Sequence, residues 1–149
     1  MILKQILFFG FLLLQMSWCQ ELFYGRETLE NLNKYGIDLR VSITEDLKHH
    51  QNTILDHLNR RLVRRGITME KSSSVVLKLS IKSISSDDGF YVAYINLELH
   101  QTANLASNNK SIEAPTWDAW KMGEYREQDI LKEVDDLARL FTNDYLYGN

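Results

Sequence analysis

The sequence predicts an α+β fold. It is a two-layer sandwich in β-α-β-β-β-α order, with a four-stranded, mostly antiparallel sheet and both helices on one face. Three observations predict it. Apolar and polar residues alternate strictly in three separate runs, the pattern of half-buried strands. Two other segments repeat their apolar residues at helical spacing, one after the first run and one at the C-terminal end. The second and third runs are joined by Asp87-Asp88-Gly89, a length that keeps their buried faces in phase.

Residues 20–36 form a polar lead-in, in which Leu29 and Leu32, with Tyr35 beyond, would cover one side of a short helix ended by Gly36. From residue 37 the pattern alternates. Ile37, Leu39, Val41 and Ile43 point one way, and Asp38, Arg40 and Ser42 the other. Ser42 with Glu45, or Thr44 alone, is placed to cap the next helix. That helix carries Leu47, Ile54, Leu58 and Leu62 on one face, with Gln51 between them, and Gly66 supplies a left-handed stop. Ile67-Thr68-Met69 suits a brief extension before the second run.

In the second run Val75, Leu77, Leu79 and Ile81 alternate with Val76, Lys78, Ser80 and Lys82. In the third, Tyr91, Ala93, Ile95, Leu97 and Leu99 alternate with Val92, Tyr94, Asn96, Glu98 and His100. A one-residue slip would expose every core side chain, so parity fixes the register. Ser86 faces Phe90, Ile81 faces Ile95, and Leu79 faces Leu97, with Gly89 at the left-handed position such loops need. Lys78 then lies opposite Glu98 on the outer side, a pairing of the right sign.

Residues 102–111 read as a polar loop. Residues 112–120 form a fourth strand that Pro115 confines to an edge or a bulge and that Gly123 ends. The closing helix begins near Glu127, with Ile130, Val134, Leu137, Phe141 and Tyr145 as its buried stripe, widened by Leu131 and Ala138. A right-handed crossover makes the first two strands parallel neighbours. Each helix has a single apolar stripe and the strands offer one strongly apolar face, so both helices must cover the same side.

Residues 1–19 read as a secretory signal peptide. Lys4 is the only charge before the apolar run over 6–14, and Ser17 and Cys19 are the third and first residues before a cut. As a helix, residues 6–18 would reach only about 20 Å, against ~30 Å of hydrocarbon. Cleavage after Cys19, lipidation at Cys19 and retention of the segment are the three possible fates. Trp18 departs from the small residues that precede a lipidated cysteine, and cleavage would leave no thiol in the chain. The segment predicts export, with a lipid anchor at Cys19 as the alternative to cleavage. Residues 37–149 then form a single domain behind the lead-in.

The whole chain carries 17 Lys+Arg against 20 Asp+Glu, a net charge of −3; without Lys4 the balance is 16 against 20, or −4. Such a chain has no global positive field to attract phosphate backbones, so a nucleic-acid partner is not expected.

Candidate chemistry is sparse. The hairpin register gathers Ile84, Val92, Tyr94 and Phe90 on the outer sheet face near the turn. Trp117 and Trp120, three residues apart, fall on opposite faces of the neighbouring strand. An exposed cluster of this kind marks a partner surface, unless the lead-in folds over it. Arg60, Arg61, Arg64 and Arg65 make a basic cluster that suits either the negative end of the helix dipole or a polyanion such as a lipid surface. His49 with Glu45, and His50 with Asp46, sit one helical turn apart, but two ligands do not make a zinc site and no metal is expected. Asp87-Asp88-Gly89 lacks the later ligands of a calcium loop. The sequence has no nucleophile elbow, zinc-protease helix or phosphate loop, so neither an enzyme nor a cofactor is predicted.

The stretch Asp88-Gly89-Phe90-Tyr91-Val92-Ala93-Tyr94, then Ala114-Pro115-Thr116-Trp117, then Phe141-Thr142-Asn143-Asp144-Tyr145-Leu146, resembles a group of small exported bacterial proteins of unknown function. The resemblance runs from about Ile37 to the C-terminus. It implies export to the periplasm and assigns no functional residue. In element order alone the chain is also similar to small α/β modules of periplasmic accessory proteins in envelope complexes. The resulting expectation is a non-enzymatic exported module that docks a protein partner, or a second copy of itself, through the open sheet face formed by Ile84, Phe90, Val92, Tyr94 and Trp120. The alternative is a small-molecule or lipid binder with a cavity between helices and sheet beside Trp117.

Overall fold

The alternating runs become four strands in the computed structural model, which describes residues 26–149. They are β1 (Asp38–Ile43), β2 (Val76–Ser85), β3 (Tyr91–Asn104) and β4 (Ser111–Tyr125), in one sheet of order β1-β2-β3-β4. β1 is parallel to β2, and the other pairs are antiparallel. The helical stripes become α1 (Gln51–Arg64) and α2 (Glu127–Gly148). This is the α+β sandwich that the sequence predicts. The signal segment and residues 20–25 of the lead-in lie outside the described residues. Among the described residues, no helix is long and apolar enough to cross a membrane.

One core joins the two layers. Leu77, Leu79 and Ile81 of β2 meet Ala93, Ile95, Leu97 and Leu99 of β3, and Trp117 and Ala119 of β4. Ile54, Leu58 and Leu62 of α1 and Ile130, Val134, Leu137, Phe141 and Tyr145 of α2 close over this face. Leu39 and Val41 are only half-buried because β1 is an edge strand. The hairpin register is the one parity requires: Lys78 pairs with Glu98, Leu79 with Leu97 and Ile81 with Ile95. Ser86 N–H donates to Phe90 O at 2.8 Å, and Gly89 takes φ +82°. Met69 makes a lone parallel bridge to Ile37, the brief extension expected there.

Several details differ from expectation. β3 runs on to Asn104, so the loop shrinks to residues 105–110. β4 does not end at Gly123, which pairs with Ala93 inside the ladder. In an antiparallel pair a glycine weakens a strand without ending it, provided the partner continues. Pro115 does sit at a bulge, since the register shifts between Leu99 and His100, opposite Trp117 and Pro115.

The first turn of the helical run, Glu45–His50, is a 3-10 turn, and no side chain caps it. Thr44 Oγ1 turns instead to β2, accepting from Ser83 N–H at 3.0 Å and lying 2.7 Å from Ser83 Oγ. Glu45 pairs with Lys48. The lead-in makes two short 3-10 turns rather than one helix. Leu29 and Leu32 enter the core, and Tyr35 stays exposed.

Candidate docking face and helix-side clusters

Strand parity sends even-numbered residues of β2 and β3 away from the helices, and the register aligns them in rows across the sheet. Near the hairpin the rows are Ile84–Val92–Glu124 and Lys82–Tyr94–Met122, followed by Ser80–Asn96–Trp120. Ile84 is 75% exposed, Met122 67%, Val92 47% and Trp120 38%. Tyr94 and Trp120 stack diagonally, with ring centroids 5.9 Å apart. Phe90 is half-buried at the start of the band, under the Arg126 guanidinium at 5.4 Å.

Of the residues that the sequence reading groups here, Ile84, Val92, Tyr94 and Trp120 fall in these rows and Phe90 lies just before β3; Met122, which that reading does not name, joins them. Parity counted on from Trp120 leads to Met122, but a strand read as ending at Gly123 hides it. Trp117, as expected, faces the other way and is 1% exposed.

The far half of the same face is charged. Lys78 Nζ is hydrogen-bonded to Glu113, not to Glu98 as expected, although Lys78 and Glu98 are in register. Glu98 is occupied by Asn96 Nδ2 at 2.7 Å and by His100 Nε2 at 2.9 Å. The hydrogen bond from Lys78, followed by its charge, holds the Glu113 carboxyl below the usual carboxylate range. Asp118, opposite Glu98, is pushed up by burial and then by the Glu98 charge. Tyr94 is raised by burial and then by Glu98 and Asp118.

The described part of the lead-in does not cover this face. Leu29 is buried in the core, and Thr28 Oγ1 donates to Thr116 O at 2.7 Å along the edge strand. Asn149 Nδ2 at the end of α2 donates to Leu29 O at 2.8 Å. These contacts hold Thr28 and Leu29 to the end of α2 and the flank of β4.

Two further clusters lie on the helix side, and each joins residues far apart in sequence. Neither His49 nor His50 is bonded to the carboxylate one turn before it. His50 Nε2 meets Glu127 Oε1 at the start of α2, and His49 Nε2 lies 3.9 Å from the same oxygen. Asp46 instead accepts from Ser83 Oγ at 2.7 Å. His49, His50 and Glu127 each offer one potential ligand atom within 4.8 Å of the others, a third ligand that no local spacing could reveal.

On the next turns, Asp135 Oδ1 accepts from Arg61 Nη1 at 2.6 Å and lies 3.0 Å from His57 Nε2. His57, Arg60, Arg61, Arg64, Arg65 and Asp135 line a cleft of about 260 Å³. All four arginines of the basic cluster are thus brought together. A second cleft, of about 350 Å³, opens where α1 meets the β1 edge, beside Leu39, Leu55 and Met69. Beside Trp117, where the sequence reading puts the alternative cavity, the ring lies edge-on against Phe141 at 5.0 Å.

No protein-family model matches the chain, and no curated protein matches it. Among solved structures it is similar to a PelC dodecamer from Paraburkholderia phytofirmans, with 13% identity and a TM-score of 0.47 over 85% of this chain and 94% of that one. It is also similar to a minor lipoprotein from Acinetobacter baumannii, with 11% identity and a TM-score of 0.32 over 71% of this chain and 89% of that one. Both likenesses are too distant for either protein's role to bear on this chain.

Proposed function

We propose that this chain is a non-enzymatic, exported module that docks a protein, either a separate partner or a second copy of itself, through the open face of its sheet. The observation that carries this reading is the band of Ile84, Val92, Tyr94, Trp120 and Met122 on a face that no described residue covers. Apolar side chains clustered this way are the usual core of an interface, and the charged half supplies a polar rim.

Magnitudes set the character of the contact. Burying such side chains fully gains roughly 1.5–3 kcal/mol each, an upper bound here because all are already partly covered. Association costs about 4–15 kcal/mol before any surplus appears. The band alone therefore supports a modest affinity, as in an assembly whose copies or neighbours add further contacts.

The test is crosslinking in the envelope with the wild-type chain and with Val92→Ser/Tyr94→Ser. Loss of the wild-type adducts supports the reading, and an unchanged adduct profile defeats it.

The small-molecule alternative keeps one supporting observation, the cleft between α1 and the β1 edge. Its volume is at the lower end of the range for ligand pockets. Protection of Met69 from oxidation by an extracted ligand would favour it.

A further inference from the structure

We propose that the cleft at the C-terminal end of α1 is a binding pocket for a phosphate group, presented either free or on a lipid headgroup. This site is separate from the open sheet face, since α1 lies on the other side of the sheet. The spacing of the sequence builds it. His57, Arg61 and Arg65 follow one another at i, i+4 along the helix, and Arg60 and Arg64 form the adjacent row. The five side chains line one cleft with Asp135 of α2.

Partnering separates this cluster from an ordinary solvated helix end. Asp135 is its single carboxylate, and Arg61 and His57 already share it. That contact fixes Arg61 as a wall of the cleft, and leaves its Nε–H buried without an acceptor. Arg60, Arg64 and Arg65 have no side-chain hydrogen bond or ion pair with any described residue.

Charge arithmetic points the same way. Four guanidinium groups less one carboxylate leave +3 around the cleft. The negative end of a helix dipole amounts to roughly half a charge, so it accounts for only a small part of that excess. The remainder is unmet positive charge held in a concavity.

Geometry selects the ligand class. A guanidinium presents a planar fork that grips two oxygens of one oxyanion, whereas an ammonium acts as a point charge. A carboxylate has two oxygens and is satisfied by one or two forks. A tetrahedral phosphate has enough oxygens to engage several. The cleft is also smaller than the roughly 300–1,000 Å³ typical of drug-sized ligands, which suits a headgroup or a simple phosphomonoester.

The test uses the full chain. Calorimetric titration with inorganic phosphate addresses the free source. Co-sedimentation with phosphatidylcholine vesicles, with and without phosphatidic acid, addresses the headgroup source. Arg60→Glu/Arg64→Glu removes two exposed, unpartnered arginines, and Lys110→Glu, in the loop between β3 and β4, is a single charge reversal away from the cleft. The expected result is saturable binding in at least one arm, weakened tenfold or more by Arg60→Glu/Arg64→Glu and little changed by Lys110→Glu. Phosphate binding identifies the free source, and binding only to phosphatidic acid vesicles identifies the headgroup. Should the double reversal unfold the chain, Arg60→Gln/Arg64→Gln replaces it, with at least a threefold loss expected. The proposal is overturned by no saturable binding in either arm, by binding that the arginine variants leave intact, or by an equal loss in Lys110→Glu.

Discussion

The indole N–H of Trp117 donates to Asp144 Oδ2 at 3.1 Å inside the core, joining β4 to the last turns of α2. The ring packs against Phe141, so one residue supplies both apolar contact and a donor to a buried carboxylate. Trp117→Phe keeps most of the packing and removes the donor. A hydrogen bond to a charged group is worth about 1.5–3 kcal/mol, and the smaller ring leaves unfilled space. The expected loss is about 2–4 kcal/mol, read from the urea midpoint at unchanged slope. A loss below about 1 kcal/mol would mean that the Trp117–Asp144 hydrogen bond contributes little to stability.

Gly89 tests the hairpin in isolation. Its φ of +82° lies in the left-handed region, and a Cβ built there would meet nothing within 4 Å. Gly89→Ala therefore adds no clash, and any effect is that of the backbone alone. A left-handed alanine costs roughly 1–2 kcal/mol, partly offset by its stiffer unfolded chain. Thermal unfolding should show a loss of about 1 kcal/mol. No change would mean that the turn adopts a different conformation from the one described.

Most of the fold was legible in residue order because it follows from local periodicity and from parity across one tight turn. Leu79 opposite Leu97 needs only a three-residue loop and a requirement that core residues share a face. Strand ends were harder to place. Gly123 and residues 102–104 look like breakers in isolation, yet the ladder with the neighbouring strand carries through them. The apolar band was readable for the same reason as the register. The helix-side clusters were not. Glu127 reaches His50 and Asp135 reaches Arg61 from more than 70 residues away, through the angle at which two helices pack. No spacing in the chain encodes that meeting.

Asp118 gives a pH signature whose sign is fixed. Burial and the Glu98 charge raise its carboxyl above the ordinary value of 3.8, so the folded chain holds this proton more tightly than the unfolded one. At neutral pH the ionised group opposes folding, and the penalty fades as pH falls through the raised value towards 3.8. Asp118→Asn removes the charge at nearly constant shape. The variant should melt a degree or two higher near pH 7, with the advantage shrinking to nothing as the pH approaches about 4. Glu113 has the opposite sign, because Lys78 lowers its carboxyl; its contribution is present above 4.5 and lost as the pH falls below that. A variant advantage that grew on acidification would contradict the assignment for Asp118.

Stability and docking should separate on the outer face. Ile84 and Met122 are the most exposed members of the band and lie in adjoining rows, on β2 and β4. Exposed side chains contribute little to folding, so Ile84→Ser/Met122→Ser should leave the unfolding free energy within about 0.5–1 kcal/mol of wild type. If the band contacts protein, the same pair loses the centre of that contact, where truncations typically cost about 1 kcal/mol or more each. Sedimentation velocity over a range of concentrations, run alongside the crosslinking experiment, reads both kinds of occupant. A variant that unfolds easily would place these side chains in the chain's own core. A variant that folds normally and associates as the wild type does would remove the band from any interface.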